Sequence, residues 1–372
     1  MNAVLSLWQT WQERVKEILP KVHGHQVKTL AWYVLGIVVG KSVVPNQIAV
    51  VYRRLNGVKE SSHMRRLERF LTNPQIHQAT HWYPFLPIFL ARWKGKSVKL
   101  ILDASPLMGE QQVYMLGIVF DHRILPVIWR VMPLHETWTI SQWKMIREMV
   151  AVLSPYLQES SCMLLADRGL GCWELAQICH EVGWHYVLRV SCCCQYETPE
   201  GIWQELAESG LKPGERKSYT TQIWKSHPFL THLTLAWDAR FHEPWYLISD
   251  QVQGTAAVRE YAKRMRIEAT FEDWKKRGWH LTASLVHDPN RLDRLLIVLA
   301  IAWWWVQRLA SACIHHGNRS LFDRADRRDK SYLKIGMAWL QVILLNACSP
   351  ASVARAVPFF HRNGRLIFTL RP

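Results

Sequence analysis

Residues 97–131 read SVKLILDASPLMGEQQVYMLGIVFDHRILPVIWRV, and this stretch decides the predicted fold. Its three apolar runs are five to eight residues long and are bounded by polar or turn-forming residues: Val98–Leu102, Val113–Phe120 and Ile124–Val131. Runs of this kind predict β-strands. The short turn Asp121–Arg123 joins the second run to the third and predicts an antiparallel hairpin.

Downstream of the hairpin, helical and strand-like segments alternate. Helical periodicity covers Ile140–Leu153 and Trp173–Val182, and apolar strands are predicted at Cys162–Ala166 and His185–Val190. The resulting order β-β-β-α-β-α-β is that of an α/β fold with a ribonuclease-H-like core. In such a core an antiparallel hairpin lies beside parallel strands, and helices cover the faces of the sheet.

Outside this core the chain changes character. Short strand-like pieces between Pro, Gly and charged turns predict a β-rich insertion, and it is followed by a long helical segment, about Thr255–Lys276, and a very apolar one, Leu292–Ala312. We divide the chain into five parts: an N-terminal helical domain at 1–95, the first part of the core at 96–190, the β-rich insertion at 191–250, the second part of the core at 251–345 and a C-terminal tail at 346–372.

The charge of the chain indicates a polyanionic partner. Its 372 residues include 46 Lys and Arg against 30 Asp and Glu, a formal charge of +16, which favours nucleic acid or an anionic membrane face. The longest apolar run, Leu295–Val306, has 12 residues, whereas a membrane-spanning helix needs about 20. The eight cysteines form neither a disulfide framework nor a zinc-binding pattern. We expect a reduced, cytoplasmic protein that binds nucleic acid and no membrane.

The N-terminal part contains a pair of predicted helices rich in arginine. Pro45–Leu55 is periodic, Asn56-Gly57 breaks the pattern, and Ser61-Ser62 resemble an N-cap before His63–Leu71. Such a pair resembles a helix-turn-helix that recognises a DNA end, although a plain helical hairpin with solvated arginines fits the same pattern. The arginines that would contact DNA are Arg53, Arg54, Arg65, Arg66 and Arg69.

Two aspartates follow predicted strands. Asp103 comes after Val98–Leu102, and Asp167 comes after Cys162–Ala166. In open α/β sheets ligands bind at the carboxyl ends of the strands, so both carboxylates are candidate functional groups. An aspartate after a strand is also a common turn residue or helix cap, so position alone leaves both interpretations open.

The helical segment after the insertion carries a stripe of functional side chains. Steps of 3, 4 and 7 residues separate Tyr261, Arg264, Glu268 and Lys275, which places them within an arc of roughly 60° on one helical face. A carboxylate flanked by cations and a phenol suits metal-dependent chemistry on a phosphodiester. Glu272 shares this face, so geometry alone does not choose between it and Glu268. A surface helix with ordinary ion pairs is the alternative.

These four residues match the Y-x2-R-x3-E-x6-K signature, and through it the chain resembles the insertion-sequence-four group of DDE transposases. The surrounding pattern agrees with this resemblance. The strand–Asp motifs LILDAS and LLADRGL and the β-rich segment precede the signature, and the apolar RLDRLLIVLAIAWWW follows it. The resemblance covers about residues 97–312.

The resemblance implies a DNA transposase. Its catalytic and metal-binding residues would be Asp103, Asp167 and Glu268, and its phosphate-binding residues would be Tyr261, Arg264 and Lys275. The carboxylates would hold two divalent ions, Mg²⁺ or Mn²⁺. The enzyme would cut the terminal repeats of an insertion sequence and join the freed 3′-OH to target double-stranded DNA. A flipped base would stack on an aromatic side chain of the insertion, whose tryptophans are Trp203, Trp224, Trp237 and Trp245.

The same resemblance implies a homodimer on paired DNA ends, without a small-molecule substrate, in the cytoplasm and associated with the nucleoid. Two other functions fit parts of the pattern. A catalytically silent or domesticated copy would bind DNA as a repressor and would need no metal. A ribonuclease-H-like nuclease would cleave DNA and never join it.

Overall fold

The computed structural model describes residues 3–346, 356–357, 360–362 and 365–367, with the backbone alone at 54–56, 360–362 and 365–367. The predicted tail at 346–372 lies mostly outside these described residues. The α-helices are α1 (Ala3–Ile18), α2 (Gly24–Gly40), α3 (Pro45–Asn56), α4 (Glu60–Thr72), α5 (Gln78–His81), α6 (Leu86–Leu90), α7 (Gln142–Leu153), α8 (Trp173–Glu181), α9 (Thr255–Tyr261), α10 (Met265–Glu272), α11 (Pro289–His315) and α12 (Tyr332–Leu345).

The fold is a mixed α/β structure with one large sheet. The strands are β1 (Ser97–Met108), β2 (Gln111–Phe120), β3 (Arg123–Pro133), β4 (Ser161–Ala166), β5 (His185–Arg189), β6 (Gln195–Glu197), β7 (Trp203–Glu205), β8 (Arg216–Ile223), β9 (Phe229–Ala236), β10 (Trp245–Ser249), β11 (Phe360–Arg362) and β12 (Arg365–Ile367). Ten of them form a sheet in the order β3-β2-β1-β4-β5-β10-β9-β8-β6-β7, and β11 pairs with β12.

The direction of pairing changes across the sheet. The strands β1, β2 and β3 are antiparallel to one another, whereas β1, β4 and β5 run parallel. From β10 onward every pairing is antiparallel, so the strands of the predicted insertion continue the same sheet. The predicted hairpin at Asp121–Arg123 is confirmed, with Phe120 opposite Arg123.

Strand β1 is longer than its apolar run predicts. It extends to Met108 because β2 pairs with it from Gln111 onward, so Asp103 lies inside the strand, opposite Met115, and not after its end. Only the pairing of β1 with β4 stops before Asp103, at Leu102 opposite Ala166. The aspartate therefore still faces the carboxyl end of β4.

The long helix α11 runs through the hydrophobic core. Three consecutive tryptophans donate their indole N–H groups to carbonyl oxygens, two of them in β3: Trp303 to Ile124, Trp304 to Pro126 and Trp305 to Ala356. Trp304 also stacks on Phe89, with 4.2 Å between ring centroids, and Trp305 contacts Trp11. The helices before the sheet, the sheet and α11 thus share one continuous core.

The apolar run Leu295–Val306 was expected to be too short to span a membrane, but the helix that contains it, α11, is longer than the run. Its 27 residues continue past Arg294 and Arg308, and by length and composition the helix could cross a membrane. However, 94% of its apolar window is buried inside the protein, as in the core helix of a globular fold. Among the described residues a second candidate exists only if the bent pair Gly24–Gly40 and Pro45–Arg53 counts as one span.

Candidate active site

The parallel pairing of β1 with β4 brings the two predicted aspartates together. Leu102 lies opposite Ala166, so Asp103 and Asp167 are the next residues on adjacent strands at one edge of the sheet. Asp103 is buried, and its Oδ1 accepts the Ala104 N–H at 3.0 Å. Asp167 is more exposed, and its Oδ1 accepts the Gly169 N–H at 3.0 Å. Local hydrogen bonds therefore orient both carboxylates.

The predicted helical segment at Thr255–Lys276 is present, but it is not a regular α-helix. A 3₁₀ turn at Ala262–Arg264 separates α9 from α10, and a π-helical turn at Asp273–Arg277 follows α10. A 3₁₀ turn is tighter than an α-helical turn and a π turn is wider, so the two deviations rotate the side chains in opposite directions. Two of the signature residues still reach β1, Arg264 at Asp103 and Lys275 at Ser105.

The guanidinium of Arg264 lies among all three predicted catalytic carboxylates. Its Nη2 atom is 3.0 Å from Asp103 Oδ1 and 3.1 Å from Asp167 Oδ2, and its Nη1 atom is 2.5 Å from Glu268 Oε1. Because Asp103 and Asp167 contact the same nitrogen, their oxygens must lie close to each other. The structure thus brings together residues that are up to 165 positions apart in the sequence.

The electrostatics of this cluster follow from burial and charge. Burial raises the pKa of Asp103 to about 6, against the opposite effect of the Arg264 charge. Burial alone would lower the pKa of Arg264, but Asp103 and Asp167 raise it above its ordinary value. The guanidinium is therefore charged, and it is the counter-ion that allows a buried carboxylate at this position.

The structure distinguishes between the two glutamates that the helical pattern left equivalent. Glu268 joins the carboxylate cluster through Arg264. Glu272 instead forms an ion pair with Arg277, at 2.9 Å, and its side chain is 54% exposed. Of the two, only Glu268 has a contact that links it to the aspartates.

The other two signature residues flank the carboxylates. Lys275 Nζ donates to Ser105 Oγ at 3.0 Å and to the Pro106 carbonyl oxygen. Burial lowers the pKa of Lys275, although the charge of Asp103 acts in the opposite direction. The Tyr261 ring is buried against Trp245, at 4.8 Å and nearly perpendicular to it. Burial raises the pKa of Tyr261 to about 12.

Sequence reasoning missed three further charged residues at this edge. Glu243 accepts hydrogen bonds from Arg168 Nη1 at 2.8 Å and from Arg189 Nη2 at 2.7 Å. The charge of Arg189 also acts on Tyr261, where it partly offsets the effect of burial on the pKa of the phenol. Of these three residues, only Arg168 could have been suspected from the sequence, because it directly follows Asp167. Glu243 belongs to a loop of the insertion, where no periodic pattern indicates its position.

The three carboxylates are suitable ligands for a hard divalent cation, although the Arg264 guanidinium lies among them. Three carboxylates supply the oxygen ligands that Mg²⁺ and Mn²⁺ prefer. Within the described part of the chain, no three His, Cys, Asp or Glu side chains are grouped closely enough to hold a metal ion. Asp103, Asp167 and Glu268 are instead linked by their contacts with the Arg264 guanidinium.

The predicted helix pair is present in the N-terminal part, with one correction. Helix α4 begins at Glu60, so Ser61 and Ser62 lie inside the helix, and the proposed N-cap is wrong. Glu60 is also the ion-pair partner of Arg53, at 2.8 Å, which favours the earlier start. The arginines Arg65, Arg66 and Arg69 are exposed on α4, and the Arg54 side chain lies outside the described part of the chain.

We expect Gly171→Ala to destabilise the loop that carries Asp167. A Cβ at Gly171 would lie 1.9 Å from the Arg189 carbonyl oxygen and 3.1 Å from the Asp167 carbonyl oxygen. Backbone atoms cannot swing aside as side chains do, so the free energy of unfolding should fall by about 1–3 kcal/mol. At Gly169 a Cβ would meet the Asp167 carboxylate at 3.3 Å. Gly169→Ala is the control, and an equal loss of Tm in both variants would contradict the expectation.

Comparison with known proteins supports a transposase. Residues 142–305 match the family described as Transposase DDE domain, a region that includes Asp167 and the signature helix but not Asp103. The match covers less than half of the chain, and it supports a DDE transposase and DNA transposition. No curated protein matches the chain significantly in sequence.

Among solved structures, the chain is similar to a piggyBac transposase in a cryo-EM synaptic complex with hairpin DNA. The TM-score is 0.46 and the identity is 10%, over 96% of this chain and 86% of that chain. A likeness of this degree does not bear on the chemistry of the site.

Proposed function

We propose that the protein is a DNA transposase of the insertion-sequence-four group, which cuts the ends of an insertion sequence and joins the freed 3′-OH to target DNA. The observation that carries this proposal is the convergence of Asp103, Asp167 and Glu268 on Arg264, a residue of the signature. The match of residues 142–305 to the Transposase DDE domain supports the same reaction.

We assign Asp103, Asp167 and Glu268 as the ligands of two Mg²⁺ or Mn²⁺ ions. When bound, such ions activate the attacking oxygen and stabilise the leaving oxygen of an in-line displacement. The position of Asp103 fits this role, because burial disfavours its charge and a cation nearby would offset that effect. The strands β1 and β4 hold the two aspartates in a fixed relation.

The phosphate-binding role falls to Arg264, Lys275 and Tyr261. Arg264 offers a planar set of donors, and Lys275 is anchored to β1 through Ser105 and Pro106. Tyr261 is protonated at neutral pH because its pKa is about 12. The hydroxyl therefore keeps its proton and can donate it to a phosphate oxygen. Trp245, whose ring contacts Tyr261, is the insertion tryptophan that we assign to stack on a flipped base.

The ribonuclease-H-like core and the N-terminal DNA-binding domain belong to the same proposal. The order β3-β2-β1-β4-β5, antiparallel in its first three strands and parallel from β1 to β5, supports the core. Exposed Arg65, Arg66 and Arg69 on α4 support recognition of a DNA end. Two ends have to be joined in one event, so we propose a homodimer on paired ends, working in the cytoplasm at the nucleoid.

The test is cleavage of a labelled duplex that carries the DNA end flanking this gene, in Mg²⁺, in Mn²⁺ and in EDTA. We expect 3′-OH ends and joined products with either ion and neither product in EDTA, because the carboxylates need divalent cations. Cleavage without any joined product would favour the nuclease. Binding without cleavage under every condition would favour the silent, repressor-like copy.

A further inference from the structure

Two arginines beside the catalytic carboxylates share one glutamate. Glu243 accepts from Arg168 at 2.8 Å and from Arg189 at 2.7 Å, one guanidinium on each carboxylate oxygen. Arg168 directly follows Asp167, and Arg189, at the end of β5, lies near enough to Tyr261 for its charge to act on the pKa of the phenol. The three side chains therefore lie at the same edge of the sheet as the carboxylates.

Arg189 is held within the protein and is not a solvated surface residue. Its side chain is 15% exposed, and its Nε atom is buried with no hydrogen-bond partner among the described residues. Its Nη2 atom also donates to the Pro244 carbonyl oxygen at 3.2 Å. A guanidinium with an unused donor can donate a further hydrogen bond to the oxygen of an anion.

Glu243 is a replaceable partner for these two arginines. One carboxylate faces two guanidinium groups, so the cluster keeps an excess positive charge. The side chains of Arg168 and Glu243 are 56% and 51% exposed, and an exposed ion pair of this kind contributes little to stability. The more buried Arg189, at 15% exposed, needs an acceptor, which an incoming phosphate would supply. Glu243 also lies in the loop between β9 and β10, outside the strands. A phosphate group could therefore take its place at a small cost in free energy.

We propose that Arg168 and Arg189 form a second phosphate-binding site for DNA, beside that of Tyr261, Arg264 and Lys275, and that Glu243 occupies it until a DNA phosphate replaces the carboxylate. The two non-bridging oxygens of a DNA phosphate present the same paired-acceptor geometry to a guanidinium as a carboxylate does, and neighbouring phosphates of the strand add to the negative potential at the site. This inference rests on the proposed function, because it requires DNA at this edge of the sheet. It adds a site that the signature does not contain.

The first test compares two glutamates with the same charge and the same kind of partner. Glu181 accepts from Arg147 Nε at 3.0 Å and Nη2 at 2.8 Å, with both side chains 47% exposed. Fluorescence anisotropy would measure binding of the full chain to a labelled 30-base-pair duplex of arbitrary sequence, in EDTA. We expect Glu243→Gln to tighten binding about 5-fold and Glu181→Gln to change it less than about 2-fold. Equal effects would mean that only net charge matters and would overturn the inference.

The second test asks whether the effect of Glu243 passes through Arg168. Arg168→Gln alone should weaken binding and reduce the slope of log K against log salt by about 1, as expected for one lost phosphate contact. When Arg168 is already replaced by Gln, adding Glu243→Gln should tighten DNA binding much less than it does in the wild type. The reason is that one of the two arginines released by Glu243→Gln is then missing. Both side chains are half exposed, so the variants should fold.

The outcomes separate this inference from the function on which it rests. Full additivity of Arg168→Gln and Glu243→Gln would overturn the second phosphate site while leaving the transposase proposal intact. A wild-type chain that binds no duplex at any salt concentration would overturn both.

Discussion

Replacing Asp103 or Asp167 by Asn, or Glu268 by Gln, is expected to reduce DNA cleavage about 10³-fold or more while DNA binding survives. Each amide keeps the shape of the side chain and removes one negative oxygen donor from the proposed metal site. Ions in such sites contribute several kcal/mol to transition-state stabilisation, which corresponds to this loss in rate. Binding should persist, because a lost negative charge near a phosphate does not repel DNA.

The measurement is a single-turnover cleavage assay with the flanking DNA end, run beside anisotropy binding for each variant. Glu272→Gln is the matched control, since Glu272 lies one helical turn from Glu268 but pairs with Arg277. It should retain cleavage within about 3-fold of the wild type, in keeping with the small effect of an exposed ion pair. If Glu272→Gln lost cleavage and Glu268→Gln kept it, the assignment of the third carboxylate would be wrong.

Trp304→Ala is expected to lower the free energy of unfolding by about 3–5 kcal/mol, the range for deleting a large buried aromatic side chain. Trp304 is fully buried, stacks on Phe89 and packs edge-on against Trp93. Its indole N–H also donates to the Pro126 carbonyl oxygen at 2.8 Å, so the substitution leaves a buried acceptor unsatisfied. The contact joins the segment before the sheet to β3 and α11.

Urea unfolding followed by far-UV circular dichroism would measure this loss. Trp203 lies half-buried on the edge strand β7, so Trp203→Ala is the control and should cost far less. An equal loss in the free energy of unfolding in both variants would mean that Trp304 contributes no more to stability than a tryptophan on an edge strand. A loss below about 1 kcal/mol for Trp304→Ala would contradict the importance of this contact.

The sequence was most informative where a local pattern and a strand end coincide. Asp103 and Asp167 could each be placed at the carboxyl end of a strand, where ligands bind in α/β sheets. The structure brings them together even though β1 continues past Asp103. The stripe of Tyr261, Arg264 and Glu268 was found from helical spacing. The 3₁₀ and π turns could not be predicted, because they depend on what the helix packs against.

Contacts between segments that are far apart in the chain could not be predicted from the sequence pattern. Arg189 lies in the predicted strand His185–Val190 and Glu243 in a loop 54 positions later, and no pattern in the sequence pairs the two. The apolar run Leu295–Val306 stops at Arg294 and Arg308, whereas α11 continues past both. Arg294 is accommodated inside the fold, since it donates to the carbonyl oxygens of Ile76 and Leu71 at 3.0 and 2.8 Å. A charged side chain interrupts a buried helix only when its donors find no acceptors.

The continuous core has a consequence for how a gene of this kind decays. Trp11 packs on Trp305 and Phe89 on Trp304, so the polypeptide before the sheet and the helix α11 each cover apolar surface of the other. A frameshift or deletion that removes either partner would leave large aromatic side chains uncovered, and the product would aggregate or be degraded. Truncated copies should therefore fall silent without leaving a stable DNA-binding fragment that interferes with intact ones. Repression by a relic would require point substitutions in a full-length chain.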